Sequence, residues 1–132
     1  MGLKDVMDSI LNRHTAQQDA HGADAPAKPK YHRISQKEAK EIMDSGVAVT
    51  VLDVREPYEF KSGHINNAVL LPSGVVPVKA ADVLPDKNAK ILVYCLSGAR
   101  SSAAAHQLVS LGYTNVFDFG GIGSWPYGVT MQ

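Results

Sequence analysis

The sequence predicts an α/β fold: a mostly parallel sheet covered by helices on both faces. Three observations predict it. Short apolar, β-branched runs alternate with stretches of helical periodicity across residues 31–125. The runs over 47–54 and 91–94 are apolar at consecutive positions, as strands buried on both faces are. Gly46, Gly63, Pro72, Pro85 and Gly112 punctuate the junctions. Strands that alternate with helices assemble into parallel sheets, and such sheets bind ligands beyond the carboxyl ends of their strands.

Taken in order, residues 1–13 form an amphipathic helix, with Leu3, Val6, Met7, Ile10 and Leu11 on one face. That stripe fits the domain, a second copy in a homodimer, or another partner. Residues 14–30, rich in Ala, Gln, Asp and Pro, read as a flexible linker. The main domain then spans 31–132. Residues 31–34 make a short strand. Ser35 and Glu38 form a capping-box pattern ahead of a helix over 37–45, with Ala39, Ile42 and Met43 on one side. The strand over 47–54 ends in Asp53-Val54-Arg55. Residues 56–60 make a short helix with Pro57 in its first turn, closed by Gly63. A strand over 68–71 stops at Pro72. A helix is expected over 78–84, bounded by Pro77 and Pro85. The strand over 91–94 leads to a helix over 101–111 that turns Ala104, Ala105, Leu108 and Leu111 inward. A last strand covers 115–119, Gly120-Gly121 begin a turn, and 122–125 make a final helical turn.

The chemistry concentrates between the strand over 91–94 and the helix after it. Cys95 is the only cysteine of the chain. Leu96, Ser97, Gly98, Ala99 and Arg100 follow it into the helix start. Helix starts offer unpaired N–H groups and a partial positive charge. A free thiol with a pKa near ~8.5 is only about 3% thiolate at neutral pH, and a shift of roughly two units at a helix start makes the thiolate the major form. Gly98 supplies the backbone freedom that lets several N–H groups converge on one point. Arg100 adds a permanent charge that either meets an anion or turns away to a carboxylate. The alternative for Cys95 itself is an inert strand-end cysteine.

Composition narrows the function classes. The 132 residues suffice for one domain with a core. Thirteen basic and thirteen acidic residues cancel, which argues against nucleic acid or an anionic membrane as partner. One cysteine excludes an internal disulfide. His14, His21, His32, His64 and His106 lack paired ligand spacing, so no metal is expected. Asp5 and Asp8 interrupt any apolar signal core, and no run is long enough to span a membrane. The expected location is cytoplasmic and reducing.

The residues Val51-Leu-Asp53-Val-Arg55-Glu56, Glu59-Phe60, Gly63-His64-Ile65, Ala68, Leu71-Pro72, Tyr94-Cys95-Leu-Ser-Gly98-Ala-Arg100-Ser101-Ser, Leu111-Gly112-Tyr113 and Gly120-Gly121 with Trp125 occur in one order. In this the chain resembles the single-domain rhodanese-like sulfurtransferases from about residue 35 to 125. The resemblance implies a five-stranded parallel sheet flanked by helices. It implies that Cys95 takes sulfane sulfur from thiosulfate or a protein persulfide and passes it to cyanide or a thiol. The amides of residues 96–100 would hold the terminal sulfur, and no cofactor is implied. Asp53, Arg55 and Glu59 are expected as a structural polar cluster near the site. His64 is expected to bond backbone in a turn, and Trp125 to sit in the core or a pocket wall. Leu96 and Ala99 bring no charge to the loop, which suggests modest affinity for a small dianion such as thiosulfate and makes a protein persulfide a credible donor.

Two other readings stand beside this one. Cysteine-dependent phosphatases and arsenate reductases also ring an anion with amides, but the phosphatase pattern is Cys-x5-Arg, and here it is Cys-x4-Arg. The shorter ring suits one sulfur better than a tetrahedral oxyanion. Rhodanese-like domains also serve as protein-binding or regulatory modules, and the retained Cys95 argues against an inert version.

Overall fold

The computed structural model describes residues 31–132. The helix expected over 1–13 and the linker over 14–30 lie outside the described residues. The elements are β1 (His32–Arg33), α1 (Gln36–Asp44), β2 (Thr50–Asp53), α2 (Pro57–Lys61), β3 (Val69–Leu70), α3 (Val76–Val83), β4 (Ile91–Cys95), α4 (Ala99–Ser110) and β5 (Val116–Gly121). Short 3-10 turns occupy Ser73–Val75 and Ile122–Ser124. The five strands form one sheet in the order β1-β5-β4-β2-β3, parallel throughout. Among the described residues no helix is long and apolar enough to cross a membrane.

The first helix begins as its capping box dictates. The Ser35 hydroxyl accepts from the Glu38 N–H at 3.0 Å, and the Glu38 carboxylate accepts from the Ser35 N–H at 3.1 Å. Ala39 and Ile42 are buried beneath it. Strand β2 is shorter than the apolar run over 47–54 predicts. Its ladder to β4 starts where Thr50 pairs with Ile91, so residues 47–49 have no neighbouring strand to join among the described residues. Val47 and Val49 instead pack half-buried against the core. Pro77 does not bound α3 as expected but lies within its first turn. A helix start has no acceptor for that N–H, so its absence costs nothing there.

Strand β4 lies at the centre, buried along its whole length, between β2 and β5. Its side chains alternate between two cores, as strand geometry requires. Ile91, Val93 and Cys95 join the core under α3 and α4, with Leu52, Val76, Ala104, Ala105 and Leu108. Leu92 and Tyr94 join the opposite core under α1, with Ile42, Phe117 and Phe119. Helices therefore cover both faces, and Cys95 is the last residue of β4 on the α4 side.

The expected turn at Gly120-Gly121 is instead the end of β5. Val93 pairs with Asp118 but Cys95 pairs with Gly121, so β5 carries one extra residue in that interval. This bulge, with Gly120 at φ +92°, bends β5 toward the loop after Cys95. A Cβ on Gly121 would lie 2.1 Å from the Leu96 carbonyl oxygen. Gly121→Ala should therefore destabilise the domain by about 2 kcal/mol or more, the upper range for forced overpacking. Thermal melting should register this as a drop of roughly 10 °C.

Candidate active site around Cys95

The loop after β4 is shaped by what its carbonyls bond to. The Leu96 carbonyl accepts from the Gly123 N–H at 3.0 Å and so points at the end of β5. The Gly98 carbonyl accepts from the Ser102 N–H at 3.1 Å and so points into α4. Gly98 is the N-cap of α4 at φ +113°, a conformation that glycine reaches without strain. With the carbonyls drawn outward, the loop's amides turn toward the sulfur. The Gly98 N–H donates to Cys95 Sγ at 3.0 Å. Ala99, Arg100 and Ser101 open α4, where the helix provides no acceptor for their N–H groups.

Cys95 is 1% exposed and forms the floor of this cradle. Leu96, Ser97 and Ala99 form an exposed rim. Burial pushes the thiol pKa up. The Ser101 hydroxyl, when it faces the sulfur, and the N–H groups of Ser101, Gly98 and Ser97 draw it down and outweigh burial, so the net direction is downward. Each donor stabilises the thiolate more than the neutral thiol.

Arg100 is held by a carboxylate. Its two terminal nitrogens donate to Glu59 Oε1 at 2.6 Å and Oε2 at 2.9 Å. Its charge still acts on the sulfur, since Cys95 is among the groups that raise the Arg100 pKa, after the Glu59 hydrogen bond. The Glu56 N–H also donates to Glu59 Oε1 at 3.0 Å. Arg100, with that N–H, overcomes partial burial and pulls Glu59 down to about 2.

The structure divides the expected polar cluster into two. Glu59 goes to Arg100 on the rim. Asp53 and Arg55 are buried on the α1 side of β4, away from Sγ. Arg55 Nη2 donates to Asp53 Oδ2 at 2.7 Å and to the Gly63 carbonyl at 2.7 Å. The Tyr94 hydroxyl donates to Asp53 Oδ2 at 2.6 Å and accepts from the Ile65 N–H at 3.1 Å. Burial, then the Asp53 carboxylate, pushes the Tyr94 phenol far up, so it stays protonated. His64 bonds backbone in its turn, with Nδ1 at 2.8 Å from the Phe60 carbonyl and its ring stacked on Phe60. Trp125 packs against the α1-side core, not beside the sulfur.

Three residues around the loop after Cys95 escaped the sequence reading. Ser101, in the first turn of α4, is among the groups that draw the Cys95 thiol pKa down. Asp118, fully buried on β5, accepts from the Ser101 hydroxyl at 2.8 Å. Arg33 on β1 lies with one Nη1 3.8 Å from Asp118 Oδ2. Ser101 lies inside the loop motif. Asp118 was visible only as a carboxylate within an otherwise apolar strand, and Arg33 gave no signal.

Comparison with known proteins places this geometry among relatives. A family model described as "Rhodanese-like domain" matches residues 35–126. The chain is 37% identical over 71 residues to thiosulfate sulfurtransferase PspE of Escherichia coli, covering 54% of this chain and 68% of that protein. It is 36% identical over 78 residues to a sulfurtransferase of Allochromatium vinosum, covering 58% of this chain and 71% of that protein. Among solved structures, a rhodanese-related protein of Thermoplasma volcanium is similar with a TM-score of 0.68 and 35% identity, covering 77% of this chain and 100% of that one.

Two outcomes follow from the ion pairs. Asp53→Ala leaves Arg55 charged, buried and unpaired, which should cost about 3–5 kcal/mol in urea denaturation. Glu59 has a folded pKa lowered to about 2 from 4.5, so its pairing stabilises fully above about pH 4.5 and is lost as pH falls toward 2. Glu59→Gln should remove that portion of the acid-induced fall in urea midpoint.

Proposed function

The chain belongs to the rhodanese-like domain family, and we propose that it is a sulfurtransferase whose nucleophile is Cys95. The observation that carries this reading is the 3.0 Å hydrogen bond from the Gly98 N–H to Sγ at the start of α4. It supports a preformed thiolate, for which no separate general base is needed.

The reaction divides into two displacements at sulfur. The Cys95 thiolate attacks the outer sulfur of thiosulfate, or the terminal sulfur of a donor persulfide. A new S–S bond forms, the old bond breaks, and sulfite or the donor thiolate leaves with the electron pair. The cysteine then bears a persulfide. Its terminal sulfur is anionic, and the amides of Leu96, Ser97, Gly98, Ala99 and Arg100 would share that charge. An acceptor thiolate or cyanide next attacks the terminal sulfur, giving a new persulfide or thiocyanate and returning the Cys95 thiolate. No electron carrier or metal enters either step.

The rim argues about the donor. Leu96 and Ala99 are uncharged, and Arg100 is bound to Glu59. Little free positive charge remains for a small dianion, so a protein persulfide is the favoured donor and a protein or small thiol the favoured acceptor. A cytoplasmic, reducing setting keeps such thiols available.

Incubation of the purified protein with thiosulfate should add the mass of one sulfur to Cys95 by mass spectrometry. Cys95→Ser should abolish the adduct and the formation of thiocyanate from thiosulfate and cyanide. Turnover that persists in that variant would remove Cys95 from the mechanism.

A further inference from the structure

The two helices on the Cys95 side of the sheet leave a groove uncovered between them. Pro77 on α3 and His106, Gln107, Ser110 and Leu111 at the end of α4 line it, around a volume of about 290 Å³. The surface they turn to it is mostly carbon. Four of these residues are exposed and Leu111 is half-buried. Val78, next to Pro77, is the most exposed large apolar side chain among the described residues. A small-molecule site needs a few placed polar groups in an enclosed pocket, and this groove has no buried polar side chain to supply them. A trough between two neighbouring helices instead fits the apolar stripe of a third.

The chain itself leads to this groove. Tyr31, the first described residue, packs half-buried against the core under α3 and α4. Its ring meets the His106 ring edge-on, with centroids 4.2 Å apart. Residues 1–30 therefore join the domain at one wall of the groove. Their sequence carries a matching face. Leu3, Val6, Met7, Ile10 and Leu11 recur at helical spacing, and such a stripe calls for burial. A helix over residues 1–13 would measure about 20 Å. Residues 14–30, acting as a linker, reach roughly 20–25 Å, enough to bring that helix back over α3 and α4. So short a tether also sets a high effective concentration, which favours the segment's own domain over a second copy in dilute solution.

We propose that residues 1–13 dock as a helix in the α3–α4 groove of their own chain, with their apolar stripe against Pro77, His106 and Leu111. The layer that carries the Cys95 cradle then has a third helix, and the packing of Tyr31 on His106 fixes where the segment enters. A second cavity, of about 350 Å³, lies between α1 and residues 125–128 on the opposite side of the sheet from Tyr31. Lys40, Asp44, Asn66 and Asn67 are among its walls, which makes it the poorer seat for an apolar stripe.

The test is nuclear Overhauser spectroscopy on the full chain. The methyl groups of Val6, Ile10 and Leu11 should show contacts to the His106 ring and the Leu111 methyls. A mixture of isotope-labelled and unlabelled chains separates contacts within one chain from contacts between two. Contacts found only between chains overturn the proposal in favour of a dimer. Contacts to Met43 or Trp125 overturn it in favour of the second cavity, and no contact to any of these groups overturns it outright. A second measurement follows amide hydrogen exchange. Val6→Asp combined with Ile10→Asp should speed exchange across the last two turns of α4 by about threefold or more, as a covering contact is lost. With the exposed groove residue changed by Ser110→Lys, that increase should shrink by half or more. Exchange that ignores the two aspartates, or an increase that persists in full beside Ser110→Lys, overturns the proposal. Neither measurement involves sulfur transfer, so this inference can fail while the sulfurtransferase reading stands.

Discussion

The direction of one carbonyl governs the site. The Leu96 oxygen is held by the Gly123 N–H and lies against the backbone of Gly121. Turning that carbonyl outward turns the loop's amides inward, and the sulfur acquires its donors as a result. The fold achieves this by bringing β5 close enough to touch the loop. Only a residue without a side chain fits at position 121, and the bulge in β5 delivers it there. The donors around Cys95 thus depend on a backbone contact between two segments about 25 residues apart in the chain.

Strand alternation then separates chemistry from support. Consecutive residues of β4 face opposite sides, so Tyr94 anchors Asp53 and Arg55 while Cys95 meets α4. The Asp53–Arg55 pair is buried, and Arg55 Nη2 fixes the Gly63 turn by donating to its carbonyl. A buried ion pair of this kind adds little net stability over an apolar replacement, yet losing one partner is severe. Its value here is positional. It holds the carboxyl end of β2 beside that of β4, and it does so without placing a charge on the sulfur's side of the sheet.

Much of this was legible in the residues themselves. The buried character of β4 was explicit in four apolar positions before Cys95. The capping box at Ser35 and Glu38 marked the start of α1, and the strand–loop–helix passage around Cys95 located the cradle. What escaped was set by partners distant in sequence. Residues 47–49 have the composition of a strand, but among the described residues no neighbour extends far enough to pair with them. Pro77 looked like a boundary because its position within the first turn depends on where Val76 docks. Gly120 and Gly121 have turn composition, and only the register against β4 reveals a strand with a bulge. Asp118 and Arg33 acquire their meaning from α4, which no local pattern around them mentions.

The sheet's outermost strands, β1 and β3, contain two residues each. Between them they offer little unpaired backbone onto which a foreign strand could lengthen the sheet. Recruitment into ordered aggregates by strand addition is correspondingly disfavoured. Such blunt margins let encounters with other chains be brief and leave the two backbones unjoined.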